Sequence, residues 1–431
     1  MKVLIIGSGG REHALAWKIS QSKKLTKLYC APGNPGIEEI AECVPLKPSD
    51  LHGLLGFVLR EKIDLTVVGP EQPLSAGIVD LFEASNLSIF GPSKKAAELE
   101  WSKAFAKDFM RRHDIPTAHY RTFSLEQIGD ALSYVEQYSF PIVIKADGLA
   151  AGKGVTICET REHARSSLEM MMKEKLFGSA GETVVIEEFL HGEEASVFAI
   201  CNGTDHITLA PAQDHKKVFD DDRGKNTGGM GAYAPAPVVT EKVMQRVKEK
   251  IIEPTLSGMM AEGRPFKGCL YCGLIITKDG PQVIEYNCRF GDPETQVVLP
   301  LYNGDLLELL SAASYGDLSG IEQPSHVGTA ACVVLASGGY PDDYRVGFPI
   351  NGLPDVKKLP GVLVFHAGTK REGGNIVTAG GRVLGVTAWE EGGALRPAID
   401  RAYRAARLLS FNEMHYRRDI GMKAFAHEAH V

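Results

Sequence analysis

"IVIKADGLAAGKGVTIC", Ile142 to Cys158, decides how the middle of this chain is read. A β-branched apolar run ends at Lys145, a glycine- and alanine-rich stretch follows to Gly154, and a second β-branched run begins at Val155. A phosphate-binding Walker loop would need four residues between its glycines and Ser or Thr after its lysine. Here only three residues separate Gly148 from Gly152, and Gly154 stands where the hydroxyl residue belongs. What fits is strand, mobile glycine flap, strand, with Lys145 ahead of the flap and Lys153 within it, the flap amides covering phosphates. Such a loop can equally be a plain turn, so its neighbours carry the decision.

Upstream, Lys94 to about His113 reads as one charged amphipathic helix ended by "DIPTA". Downstream, a helix over "TREHARSSLEMMMKEKLFG" and a strand over "ETVVIEEFLHG" complete a small α+β unit. Three further apolar runs, "EEASVFAICNG", "HITLAPAQDH" and "CLYCGLIIT", predict an antiparallel sheet leading to "VIEYNCRFGDPE", Val283 to Glu294. Strand alternation puts Glu285, Asn287 and Arg289 on one face, with Ile284, Tyr286, Cys288 and Phe290 on the core side. Two oxygen donors beside a guanidinium suit a hard cation held next to an anion. A solvated edge strand is the plainer alternative, although Asn is depleted in strands.

Glu187 and Glu194 flank a turn at His191–Gly192, where carboxylates can accept from an exocyclic amine and from ribose hydroxyls; a solvated hairpin is again the alternative. In "QDHKKVFDDDRGKNTGGMGAY", Asp214 and Lys217 are placed to face substrate, and "NTGGMGAY" has the composition of a lid.

Residues 1 to about 100 alternate short strands with helices, a doubly wound α/β pattern whose ligands lie at the strands' carboxyl ends. "GSGGREHA" fails as a dinucleotide fingerprint, because its third glycine would fall at Glu12. Free amides at Gly9 and Gly10, opening a helix beside Arg11, suit a single phosphate instead. Asn34 in "PGNPG" and Glu71 in "GPEQPL" end neighbouring strands and would meet the same crevice. After about Pro324 the pattern becomes β-rich, closed by a helix through "LRPAIDRAYRAARLL".

At 431 residues the chain is expected to form two to four domains. A net charge of −7 argues against a general nucleic-acid binder. No apolar run approaches the roughly 18 residues of a membrane span, and "MKVLIIGSGG" reads as a first strand rather than a signal peptide. Eight scattered cysteines suit reduced thiols in a cytoplasm; Cys269 and Cys272, three apart on one strand, face opposite ways and make no zinc site.

In this order, "GSGGREHA", "PGNPG", "KADGLAAGKGV", "DHKKVFDDDRGKNTGGMGAY" and "EYNCRFGDPETQ" resemble the ATP-grasp superfamily and, within it, the phosphoribosylamine–glycine ligases, from Met1 to "RRDIG". The resemblance implies an N-terminal doubly wound α/β domain (1–101), a two-lobed ATP-grasp unit (102–325, small lobe about 123–192) and a C-terminal β-rich domain with a helix (326–431). It implies ATP bound by Lys103 and Lys145, by the flap residues Gly152, Lys153 and Gly154, by Glu187 with the Leu190 backbone at adenine, and by Glu194 at ribose. Glu285 and Asn287 would hold Mg²⁺, with Mn²⁺ as the alternative ion. Arg289 would lie beside the transferring phosphoryl group, with Lys217 and Asp292 in the catalytic set, and Arg289, Asp292 and Asp214 at glycine. Gly9, Gly10 and Arg11 would take the ribosyl phosphate, with Asn34 and Glu71 near them.

The implied reaction joins glycine to 5-phosphoribosylamine through glycyl phosphate, in the cytoplasm, with no nucleic acid, membrane or obligate protein partner. A single activity is expected, with no room for a further domain before Val431. One departure stands out: the strand segment Tyr271–Leu274 lacks the acidic metal ligand that many ATP-grasp enzymes carry there. Rival readings are an ATP-grasp carboxylase, a nicotinamide-dependent dehydrogenase and a nucleotide-binding sensor.

Overall fold

A computed structural model of the chain describes residues 1–148, 154–174, 181–325 and 327–428. The first sheet holds β1 (Lys2–Gly7), β2 (Lys27–Pro32), β3 (Glu42–Cys43), β4 (Leu65–Val68) and β5 (Ile89–Phe90), all parallel, in the order β3-β2-β1-β4-β5. Val3 to Ile6 are fully buried, as expected where helices cover both faces of a parallel sheet. Strand order reverses at β1, so the crevice opens at its carboxyl end, where helix Gly10–Ile19 begins.

The small lobe is a separate antiparallel sheet: β6 (Tyr120–Ser124), β7 (Ile142–Ala146), β8 (Val155–Cys158) and β9 (Thr183–Glu188), ordered β6-β9-β7-β8. It has a core of its own, including Phe123, Val135, Ile144 and Leu168. The two strands expected on either side of the glycine-rich stretch are β7 and β8, and the Ala146 amide donates to the Gly154 carbonyl at 2.8 Å. Gly152 and Lys153 lie outside the described residues.

The helix expected from Lys94 to His113 is instead two, Glu98–Trp101 and Lys103–Arg112, broken at Ser102. Ser102 is extended and caps the second helix, its hydroxyl accepting from the Phe105 amide at 3.1 Å. Asp147 holds the break from the other side, accepting from the Ala104 amide at 3.1 Å. The break turns Lys103 inward.

The chain continues through β10 (Glu193–Asn202), β11 (His206–Thr208), β12 (Gln213–Asp214), a hairpin of β13 (Lys217–Phe219) and β14 (Arg223–Asn226), β15 (Gly231–Ala234), β16 (Lys267–Thr277) and β17 (Gly280–Asn287). An antiparallel sheet in the order β11-β10-β16-β17 forms the floor of the central unit. Cys269 and Cys272 on β16 belong to different cores, and all eight cysteines are free thiols.

A bulge corrects the expected alternation on β17. Gly273 pairs with Glu285 but Leu274 pairs with Val283, so Ile284 is the extra residue. Val283 takes the core position, and Ile284, expected in the core, borders the cleft. Glu285 and Asn287 keep the face predicted for them.

The third sheet includes β18 (Thr329–Ser337), β19 (Val362–His366), a separate hairpin of β20 (Thr369–Glu372) and β21 (Asn375–Thr378) beside it, then β22 (Arg382–Glu390) and β23 (Met414–His415). Its order is β12-β15-β18-β22-β19, with β23 on β18. Residues 213–214 and 231–234, assigned by sequence to the central unit, thus complete the C-terminal sheet. Asp214 is carried to the cleft on that sheet's edge. No helix among the described residues is long and apolar enough to cross a membrane.

Asn34, expected at substrate, has another task. Its Nδ2 donates to the carbonyls of Ser8 and His366, both at 2.8 Å, and its Oδ1 accepts from the amides of Gly36 and Ile37 at 2.9 and 3.0 Å. Every hydrogen-bonding position is used and the side chain is buried, so Asn34 ties the first sheet to the third and has none left for a ligand. Asn34→Ala should cost about 3 kcal/mol, because several buried polar groups lose their partner. Denaturant unfolding should show that loss while ATP affinity of the folded fraction stays at the wild-type value.

Candidate active site

All three sheets and the small lobe border one cleft of ≈ 1550 Å³. At its centre is Glu285, on the free face of β17. Burial opposes its charge, but Lys216, Lys145, Lys103 and Arg289 outweigh burial and hold the carboxyl below its usual range. Each cation is placed by its own element. Lys103 opens its helix and donates to the Gly148 carbonyl at 2.9 Å. Lys145, at the end of β7, donates to the Ile284 carbonyl at 3.1 Å and meets Glu187 at 3.0 Å. Lys216 pairs with Glu194 at 2.6 Å. The Arg289 guanidinium is held by Glu100 and the Asn287 Oδ1, each at 3.1 Å, and by Glu71 at 3.4 Å. Burial opposes its protonation, yet Glu100 and Glu71 raise its pKa and keep it charged.

Toward the small lobe the lining becomes apolar, with Val143, Val155, Ile157, Leu190, Met110 and Ile284 forming a slot. Glu187 sits behind this slot, 3% exposed, between the ammoniums of Lys145 and Lys107, the latter at 2.9 Å. At the opposite wall the Tyr271 hydroxyl meets the Ser196 hydroxyl at 2.8 Å and Glu294 at 2.9 Å. Tyr271 pairs with Asn287 across the strands, so a phenol bound to Glu294 occupies the wall where a further acid was absent from sequence. Beside them is Asp214. Burial and the charges of Glu294 and Glu194 outweigh Lys216 and push its carboxyl up to about 7.

The expected phosphate site at the first helix is closed by protein carboxylates. Gly9 donates its amide to Glu12 at 2.6 Å in a capping box, the Arg11 amide serves Asp292, and Gly10 is packed on the Gln296 side chain. Neither glycine borders the cleft. Arg11 and Glu71 do, with Arg11 steadied by Glu12 at 2.6 Å and the Phe290 carbonyl at 3.1 Å. Asp292 also reaches the cleft, where Gln296 donates to it at 2.7 Å and Arg382 lies 3.4 Å away. Burial opposes its charge, and Arg382 and Arg11 lower its pKa despite this. Lys217, Glu194 and the flap's Gly154 line the cleft as well.

Sequence reasoning missed Glu100, Lys107, Lys216 and Glu294. Of these only Lys216 left a signal, since it lies two residues from Asp214 and shares its face of an extended segment.

Glu285 and Asn287 supply two oxygen donors. Among the described residues no group of three or more His, Cys, Asp or Glu could hold a metal. That set fits a hard cation whose remaining ligands are substrate oxygens and water, rather than a closed structural site.

A small antiparallel lobe beside a second antiparallel sheet with a Glu–Asn face is the ATP-grasp architecture. Structures under 25% identical share this fold: N5-carboxyaminoimidazole ribonucleotide synthetase from Thermotoga maritima aligns at 19% identity and TM-score 0.63, over 95% of this chain and 99% of that one. Matches to the N, ATP-grasp (A) and C domains of phosphoribosylglycinamide synthetase cover residues 1–100, 101–295 and 330–423. The chain belongs to the phosphoribosylamine–glycine ligase family. The ligase of Chlorobaculum tepidum is 51% identical over 98% of this chain and 100% of its own, and that of Vibrio cholerae 51% over 99% of each. The crystal structure of the Thermotoga maritima ligase superposes with TM-score 0.85 at 34% identity, over 97% of this chain and 100% of that one.

With its carboxyl pushed up to about 7, Asp214 is protonated below that pH and anionic above it. If it receives an ammonium group, kcat/KM for the amine-bearing substrate should fall about tenfold per pH unit below 7. Asp214→Asn should remove this acid limb from the pH profile, leaving a flat, lower rate.

Proposed function

We propose that this chain joins glycine to 5-phospho-D-ribosylamine, converting ATP to ADP and phosphate and giving glycinamide ribonucleotide for purine biosynthesis. The observation that carries this reading is the convergence of Lys103, Lys145, Lys216 and Arg289 on Glu285. A carboxylate is a poor acyl donor because its leaving group would be oxide. Phosphorylation supplies a better one, but it requires two anions to meet. Four cations in a sheltered cleft offset that repulsion and align the partners.

The adenine ring fits the apolar slot, read by the Leu190 backbone and the Glu187 side, with Glu194 at the ribose. Lys103, Lys145 and the flap ending at Gly154 hold the phosphates. Glu285 and Asn287 hold Mg²⁺ (Mn²⁺ in its place), which when bound draws charge from the phosphate oxygens. Asp214 takes the ammonium of glycine and Arg289 its carboxylate, with Lys217 and Asp292 bordering the same volume. The carboxylate oxygen attacks the γ-phosphorus, ADP departs with the bonding pair, and glycyl phosphate results. The ribosylamine nitrogen then attacks the acyl carbon and expels phosphate, the substrate being held at the first-domain rim by Arg11 and Glu71. No cysteine serves as nucleophile: Cys288 is buried, and burial with Glu100 nearby raises its thiol well above the usual range. Small molecules are therefore the only partners this reading needs, and eight free thiols suit a cytoplasmic setting.

Release of ADP should require glycine and phosphoribosylamine together, with bicarbonate and formate giving no turnover. Turnover with bicarbonate instead would favour a carboxylase and overturn the assignment. Glu285→Ala should abolish turnover, and Asn287→Ala should raise the Mg²⁺ concentration for half-maximal rate about tenfold or more. Asn287→Ala should not lower the nucleotide-free melting temperature by more than about 3 °C, since its side chain faces the cleft rather than a core. Wild-type metal dependence in both variants would remove them from the metal site.

A further inference from the structure

Lys107 is a buried lysine that the reaction above does not use. It lies one helical turn beyond Lys103 and is only 2% exposed. Its ammonium is 2.9 Å from Glu187 Oε2 and 2.7 Å from the Thr117 hydroxyl, which in turn donates to the Val283 carbonyl at 2.6 Å. The other oxygen of Glu187 meets Lys145 at 3.0 Å. One carboxylate is thus shared by two ammoniums, one on the helix Lys103–Arg112 and one on the small lobe. Burial pushes the Lys107 amine down to about 8 against the pull of Glu187.

We infer that Lys107 is a positioning residue that neutralises Glu187, so that the Lys145 charge remains available to the triphosphate of ATP. Charge balance gives Lys107 this role, which rests on the ATP-binding reading above. With Lys107 present, the trio Lys107–Glu187–Lys145 carries a net positive charge. Without it, the whole negative charge of Glu187 falls on Lys145, which is drawn back from the phosphates, and the trio becomes neutral. Lys107 also joins three elements, because the Thr117 hydroxyl carries the same hydrogen-bond chain to β17, the strand that bears Glu285. Lys107 thus links the small lobe to the floor of the cleft beside the direct contact of Lys145 with the Ile284 carbonyl.

Lys107→Met keeps the side-chain length and removes the charge. ATP should then bind about tenfold more weakly, the order expected for one unit charge removed near a polyanion in a partly desolvated cleft. The KM for glycine should change less than about twofold, since glycine lies beyond the reach of this trio. Adding Glu187→Gln restores the net positive charge. Because Glu187 also faces the adenine slot, the readout is the ratio of ATP to AMP affinity, which isolates the outer phosphates and should return to within about threefold of wild type. A purely structural lysine would not be rescued by a second substitution. An ATP-to-AMP affinity ratio in the double variant no higher than in Lys107→Met, or wild-type ATP affinity in Lys107→Met, would overturn the inference. If Lys107→Met does not fold, the double variant compared directly with wild type decides, because both carry the same net charge. Titration with ATP in the absence of glycine keeps this test separate from the functional reading, which stands or falls on the wild-type reaction with glycine and phosphoribosylamine.

Discussion

Four cations crowd one carboxylate at the centre of this molecule, and much of the architecture serves to keep them there. Lys103, Lys145, Lys216 and Arg289 repel one another, and Glu285 alone cannot balance them. Such a group is stable only if each cation has a further anchor or a polyanion arrives. The anchors are visible: Gly148 carbonyl for Lys103, Glu187 for Lys145, Glu194 for Lys216, and Glu100 with Glu71 for Arg289. Burial strengthens the pairs of Lys145 with Glu187 and Arg289 with Glu100, because water no longer screens them, whereas Lys216 and Glu194 meet nearer the surface. The charge left over is what a nucleotide triphosphate and a second carboxylate would neutralise.

Each sheet contributes a different part of that arrangement. The parallel first sheet brings Arg11 and Glu71 to the rim at the carboxyl ends of β1 and β4. The small lobe presents Lys145, and its separate core lets it act as one body. The central sheet carries Glu285 and Asn287 on a strand whose bulge turns Ile284 into the cleft. The third sheet borrows β12 and β15 from earlier in the chain and so delivers Asp214 to the cleft on its edge strand. No single segment of sequence holds the site, which explains why it lies where the units meet.

What sequence could reveal followed from local periodicity, and what it could not followed from distant partners. Glu285 and Asn287 were legible because alternation on a strand is a property of the strand itself. Ile284 was misplaced because a bulge depends on the register of β16, which the β17 residues do not encode. Gly9, Gly10 and Asn34 looked like ligand groups since short polar turns at strand ends often are. Their true partners, Glu12, Gln296 and the His366 carbonyl, include groups more than 280 and 330 residues away. The break at Ser102 needed Asp147, and Lys107 needed Glu187; neither pairing has a sequence pattern. The resemblance to a family conveyed the reaction, whereas hydrogen-bond geometry showed which of the predicted residues remain free to take part in it.

The central claim is that the cation cluster brings a carboxylate and the γ-phosphate of ATP into direct reaction. Glycine labelled with ¹⁸O in its carboxylate tests this most directly, by mass analysis of the phosphate formed in a full turnover. Attack by the carboxylate transfers one labelled oxygen to each phosphate released. Phosphate carrying that single label is the predicted result; phosphate free of label would show that water or another group attacks instead, and would contradict the account.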